Sequence, residues 1–184
     1  MEEKNYDVLI LFSGGADSRL LLEFSLQMNL NPFCVLIDYE QKFAELPIAI
    51  KQLKQKNIDY QIVQLHGLDL KSALTSGDKG LYENVSMWNV PSRNLMFISM
   101  ALSIAESKNI KLILHGADAS DRDGLFPDCY QEFFYNLNKF LKFNTDPSIR
   151  VEAPLLGFTK EMVLSMLNFI GVKKEELFSG YGDL

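Results

Sequence analysis

Ser13-Gly14-Gly15-Ala16-Asp17-Ser18 is where the sequence gathers groups able to hold a phosphate. Paired glycines let a backbone turn tightly and come close to a ligand. A helix starting beside them offers unpaired N–H groups of partial positive charge. Ser13 and Ser18 add hydroxyl donors. Asp17 accommodates a phosphate only with a cation between the two or with backbone N–H groups holding its carboxylate, so it is the candidate ligand of a divalent metal. The competing reading of these residues is a strand-to-helix turn with a Ser or Asp cap. The string is neither GxxxxGK[ST], since no Lys follows the second Gly, nor GxGxxG.

The elements around this loop decide between those readings. Asp7 to Phe12 is a continuous apolar run that suits a strand buried on both faces of a parallel sheet, and Arg19 to Met28 has apolar residues at helical spacing. Further strands are expected at Phe33 to Asp38, Tyr60 to Leu65 and Lys111 to His115, with helices at Glu45 to Lys56 and Arg93 to Lys108. His66 to Val90 reads as a long loop and Gly116 to Asp128 as a polar one. Helices at Tyr130 to Phe143 and Thr159 to Ile170 flank an extended stretch at Ile149 to Ala153. The alternation predicts a doubly wound α/β domain with a mainly parallel sheet and helices on both faces. Residues 1–184 form a single domain in this reading, with 144–184 as a helical C-terminal extension.

In such a sheet ligands bind outside the carboxyl ends of the strands. Asp38 and Tyr39, ending the second strand, are therefore candidates to contact a ligand, or else they simply open a polar loop. Arg93 and Asn94 open a helix after Val90-Pro91, with Ser92 as its expected cap. Arg93 presents a planar fork suited to a carboxylate or phosphate, and a cation in a first helical turn opposes the helix dipole.

Composition narrows the class. The 184 residues include 18 basic and 24 acidic side chains, a net charge of −6 that argues against affinity built on neutralising nucleic-acid phosphates. The longest apolar runs fall well short of the roughly 20 residues of a membrane helix, and no cleavable leader is evident in the polar N-terminus. Cys34 and Cys129 cannot build a four-thiolate zinc site, and free thiols suit a reducing cytoplasm. Small-molecule chemistry is favoured.

Further strings follow in order: Asp38-Tyr39-Glu40-Gln41-Lys42, Val90-Pro91-Ser92-Arg93-Asn94 with Phe97, Phe126-Pro127-Asp128-Cys129, and Ala153-Pro154-Leu155 followed by Lys160. SGGADS resembles the pyrophosphate loop (PP-loop) of the N-type ATP pyrophosphatases, of adenine nucleotide alpha hydrolase-like fold. The whole series is similar to the 7-cyano-7-deazaguanine synthase family, from Val8 to about Leu164. The resemblance implies activation of 7-carboxy-7-deazaguanine by ATP and Mg²⁺ as an acyl adenylate, displacement of AMP by ammonia, and a second adenylation that converts the amide to the nitrile. Queuosine or deazapurine modification of nucleic acids would use the product, and the family admits pairing as a homodimer. A ligase that stops at the amide or uses another nucleophile is one alternative, and a non-catalytic nucleotide-binding subunit is another.

By this resemblance Ser13, Gly14, Gly15, Asp17, Ser18, Asp38 and Tyr39 bind ATP, and Asp17, Lys160 and Arg93 do the catalytic work. Lys160, behind the expected cap Thr159, is the cation able to reach the glycine loop, unless it is a solvated surface lysine. Arg93, Asn94, Asp121, Asp128 and Cys129 bind the second substrate, with Asp121 and Asp128 accepting from the guanidine-like edge of the deazaguanine. The charged run of Asp118, Asp121, Arg122 and Asp123 also reads as a solvated loop. The chain departs from the family pattern in three places. Phe43 stands where His is expected, Tyr130 where Arg is expected, and the C-terminal residues Phe178 to Leu184 hold no four-cysteine cluster, so zinc is not predicted.

Overall fold

Val8–Leu11 (β1), Pro32–Asp38 (β2), Asp59–Gln64 (β3), Leu112–Leu114 (β4) and Arg150–Glu152 (β5) pair in the order β3-β2-β1-β4-β5, every pair parallel. The structure is a computed structural model and describes residues 4–40, 45–67, 90, 92–123 and 126–177. Six α-helices accompany the strands among these residues: Ala16–Gln27 (α1), Glu45–Gln55 (α2), Arg93–Ser107 (α3), Ala119–Asp123 (α4), Gln131–Phe140 (α5) and Lys160–Phe169 (α6).

Alternation along the strands divides the core into two layers. Val8, Ile10, Cys34 and Leu36 face one cluster, where Leu20, Leu53 and Val163 of α1, α2 and α6 cover them. Leu9, Phe33, Val35 and Ile113 face the other, under Ile98 and Ala101 of α3 and Phe134 of α5. Burial of β1 and β2 on both sides explains why each reads as an unbroken apolar run. β3, at the sheet edge, is half exposed and more polar.

Strand order reverses at β1, whose neighbours are β2 on one side and β4 on the other. A crevice opens at the carboxyl ends of strands on either side of such a reversal. The glycine loop follows β1 directly and so lies at this point.

Three local expectations change. The polar segment Gly116 to Asp128 contains α4 and a 3-10 turn at Pro127–Cys129. Asp118 starts α4, its Oδ1 accepting from Ser120 N–H at 2.8 Å and Asp121 N–H at 3.0 Å. Ser92 precedes α3 but does not cap it, because its backbone is left-handed (φ 55°) and its hydroxyl makes no capping bond. The helix expected to reach Phe143 closes as α5 at Phe140, with a 3-10 turn over Leu141–Phe143. After residue 144 the chain first adds β5 to the sheet beside β4 and then forms α6. Of the expected loop His66 to Val90, residues 68–89 lie outside the described residues, as do Gln41, Lys42, Phe43, Pro91 and the last residues from 178.

Candidate active site

The glycine loop turns because Gly14 adopts φ +83°, and a Cβ there would stand 3.0 Å from the Ala49 backbone of α2. Glycine is required on both counts. Gly15 is the N-cap of α1 and brings no side-chain acceptor, so the first turn begins without a side-chain cap. Ser13 N–H donates to Ser18 Oγ and Gly15 N–H to Ser13 Oγ, both at 3.3 Å, while the Ser18 hydroxyl donates to Gly15 O at 3.1 Å. Both amide contacts are longer than the usual value of about 2.9–3.0 Å.

Beside the loop, a cluster joins residues remote in sequence. Lys160 Nζ lies 2.5 Å from Asp17 Oδ2 and 2.9 Å from Asp118 Oδ2. Thr159 caps α6 as expected, its Oγ1 accepting from Met162 N–H at 3.3 Å. Lys160 N–H donates to Ser120 Oγ at 3.1 Å, and Ala119 N–H to Phe158 O at 2.9 Å, so α4 and the start of α6 are tied together. Burial pushes the Asp17 carboxyl up to about 6, against the pull of Lys160 and with repulsion from Asp118. Burial disfavours the Lys160 charge as well, but Asp17 and Asp118 outweigh it and hold the ammonium above its ordinary value. Above about pH 6 the arrangement is therefore an ionised bridge over the glycine loop.

Among the described residues, the buried Asp17 Oδ1 has no hydrogen-bond partner. An oxygen left free in this way fits a cation. Among the described residues no group of three or more His, Cys, Asp or Glu is arranged to hold a metal. A Mg²⁺ at Asp17 would draw its other ligands from phosphates and water, as that ion usually does.

A cleft of about 250 Å³ runs from this cluster between β1, β2 and α3. Ser13, Asp17 and Ser18 line one end; Tyr39, Arg93, Asn94, Phe97, Asp121 and Cys129 line the remainder. Arg93 donates to Tyr39 Oη at 3.3 Å, and the Tyr39 ring packs on Phe97 with centroids 5.2 Å apart. Asn94 is buried, its amide 3.7 Å from Cys129 Sγ. Burial raises Asp121 above the ordinary carboxylate range. It also raises the Cys129 thiol, with Asp121 and Asp128 adding to the effect, which overrides any lowering from a helix start. Asp38 and Asp128 do not line the cleft. Asp38 instead meets His66 Nε2 at 3.4 Å, and Asp128 lies beside Cys129.

Sequence reasoning left Asp118 in a solvated charged run, yet it is fully buried. Its signal was position, four residues beyond the end of β4. His115, on the cleft wall, was likewise given no role. Its Nδ1 accepts from Ala117 N–H at 3.1 Å, and burial, helped by the Arg93 charge, lowers it to about 4, so the ring is neutral near pH 7.

The family model described as "Queuosine biosynthesis protein QueC" matches residues 7–183. The chain belongs to this family. A 7-cyano-7-deazaguanine synthase of Thermoplasma acidophilum is 31% identical over 98% of this QueC-family chain and 80% of its own length. One from Clostridium botulinum (Type A, strain ATCC 19397) is 30% identical over 96% of the chain and 85% of its own. Among solved structures, the NH3-dependent NAD synthetase of Campylobacter jejuni superposes with a TM-score of 0.56 at 19% identity, covering 95% of this chain and 68% of that one. The fold is thus the doubly wound PP-loop α/β fold expected from the motifs, and the family ties the chain to 7-cyano-7-deazaguanine synthesis. Among the described residues, no helix is long and apolar enough to cross a membrane.

Proposed function

We propose that the chain is an ATP-dependent, AMP-forming synthase that converts 7-carboxy-7-deazaguanine and ammonia to 7-cyano-7-deazaguanine. The observation that carries this reading is the placement of Lys160 and Asp17 over an uncapped helix start at the sheet's switch point. A carboxylate reacts with ammonia only once one oxygen has become a leaving group, and transfer of AMP achieves this if the departing pyrophosphate is stabilised.

Ser13, Gly14, Gly15 and Ser18 hold the β- and γ-phosphates by backbone N–H and hydroxyl groups. Lys160 turns from its carboxylates toward the negative charge that develops as the bond between the α- and β-phosphates breaks. Asp17 would hold a Mg²⁺, which would supply further neutralisation of the phosphates. Tyr39, on the cleft wall, receives the nucleoside. Arg93 aligns the carboxylate with the α-phosphorus, while Asn94, Asp121 and Cys129 receive the deazaguanine, the Asp121 carboxylate accepting from its amino edge.

The substrate carboxylate attacks the α-phosphate and pyrophosphate leaves. Ammonia then adds to the acyl carbon, AMP departs and a proton is lost, giving the amide. The amide oxygen then attacks the α-phosphate of a second ATP and pyrophosphate leaves; loss of AMP and the two N–H protons gives the nitrile. Protein incubated with ATP, Mg²⁺, ammonium and 7-carboxy-7-deazaguanine should yield nitrile and two AMP per turnover by mass spectrometry. Amide with one AMP would shorten the proposed sequence, and bound nucleotide without AMP would overturn it. Asp17→Ala should abolish AMP formation while the fold persists.

A further inference from the structure

Gln52 lies on α2, is buried to 2% exposure and is absent from the cleft lining. Its Nε2 donates to Gly14 O at 2.8 Å and to Glu176 O at 2.7 Å. Both partners are carbonyl oxygens, which only accept, so the side-chain amide has one sensible orientation, with its nitrogen toward them. Gln52 therefore holds the Gly14 carbonyl on the inner side of the glycine loop.

That carbonyl is coupled to a neighbour. Gly14 C=O and Gly15 N–H belong to one planar, trans peptide unit and point in opposite directions. With the carbonyl buried against α2, the Gly15 N–H emerges on the exposed side, where it meets Ser13 Oγ, a group that lines the cleft. The unit has unusual freedom to turn, because glycines flank it on both sides. Ala49, one helical turn before Gln52, limits how the loop approaches α2 but offers no bond to fix the peptide plane.

We infer that Gln52 is a positioning residue for phosphate recognition: it sets the plane of the Gly14–Gly15 peptide so that the Gly15 N–H faces the ligand. The inference rests on the glycine loop's being the phosphate site. Without the Gln52 donor the peptide is free to flip, presenting a carbonyl oxygen to an anion where a donor is needed. The second bond, to Glu176 O, anchors the Gln52 side chain from behind and makes the clamp independent of the ligand.

Inorganic pyrophosphate and AMP, titrated separately, test this. Gln52→Met keeps the length and removes the donors; Gln52→Glu keeps the shape and reverses the polarity. Pyrophosphate affinity should fall at least about tenfold in both variants, with AMP affinity changed less than about twofold. Equal loss of both ligands would mean general structural damage, and unchanged pyrophosphate affinity in a folded variant would mean the donor is idle; either overturns the inference. Wild-type protein that fails to bind pyrophosphate would instead sink the phosphate-site reading. A measurement without any variant serves if neither folds. In wild-type NMR spectra the Gly15 amide resonance should move on pyrophosphate addition, and a resonance that stays fixed in a saturated sample overturns the inference.

Discussion

At the glycine-loop end of the cleft, position is fixed by backbone: Gly14 is wedged under Ala49 and tied through Gln52, and α1 starts directly behind it. At the α3 end, position is fixed by side chains: Arg93 on Tyr39 at 3.3 Å, Asn94 beside a sulfur at 3.7 Å, and Asp121 on a single amide of Asp118. A site held by backbone recognises what every substrate of its kind shares, which in the proposed function is phosphate. A site held by side chains can be retuned one residue at a time, which suits the group that distinguishes one synthase from another. Lys160 belongs to neither end. It bridges Asp17 of the first and Asp118, on the turn leading to the second.

The bridge is where the two ends should fail together. Lys160→Met removes the cation proposed to meet the leaving pyrophosphate, and AMP formation should drop about 10²- to 10³-fold. The variant also leaves the buried Asp118 carboxylate without its ion pair, so its melting temperature should fall as well. A Lys160→Met enzyme within about threefold of wild type would show that the bridge is only structural.

Gly14→Ala attacks the backbone-built end alone. An alanine there must adopt φ near +83° and press on Ala49 at 3.0 Å, at a cost of about 1–3 kcal/mol. Denaturant melts should show that loss, and KM for ATP should rise more than KM for the deazaguanine. Asp121→Asn attacks the side-chain-built end. It keeps an acceptor for the Asp118 amide and removes a buried charge, so KM for the deazaguanine should rise about tenfold while KM for ATP barely moves. If both variants raise both constants alike, the division of the cleft into two kinds of end is wrong.

That division also explains what could be read from the sequence. The glycine loop is contiguous and its geometry is local, so Ser13 to Ser18 announced the turn between β1 and α1. β1 and β2 were legible because burial on both faces leaves an uninterrupted apolar signature, and Thr159 because a cap acts within one helical turn. Asp118 was not legible. Its meaning lies in Lys160, 42 positions later, and in a short helix α4 whose polar residues hide any helical period. Gln52 was silent for the same reason, being one polar residue on an otherwise ordinary amphipathic helix until the fold sets Gly14 O against it. Ser92 misled because Ser before a helix usually caps it, whereas here its left-handed backbone turns the hydroxyl away from that role.

His115 offers the finest test of the comparison, because its ring fastens the turn that leads to the side-chain-built end. Its Nδ1 accepts from Ala117 N–H, and a proton on that nitrogen would set donor against donor. The folded protein holds the ring at about 4, below the unfolded value of about 6.5. A base whose folded value is lowered binds its proton more readily when unfolded, so stability is lost as pH falls from about 6.5 toward 4. By pH 5 the loss from this one group is about 1–2 kcal/mol. His115→Asn supplies an acceptor for the same amide without a titrating ring, so it should remove that part of the acid limb from stability measured between pH 7 and 5. Hydrogen exchange should speed up at Ala117 to Asp121 before it does at Ser13 to Ser18 as the pH is lowered. Loosening of the glycine loop first, or an acid limb identical in His115→Asn, would place the acid-sensitive fastening elsewhere.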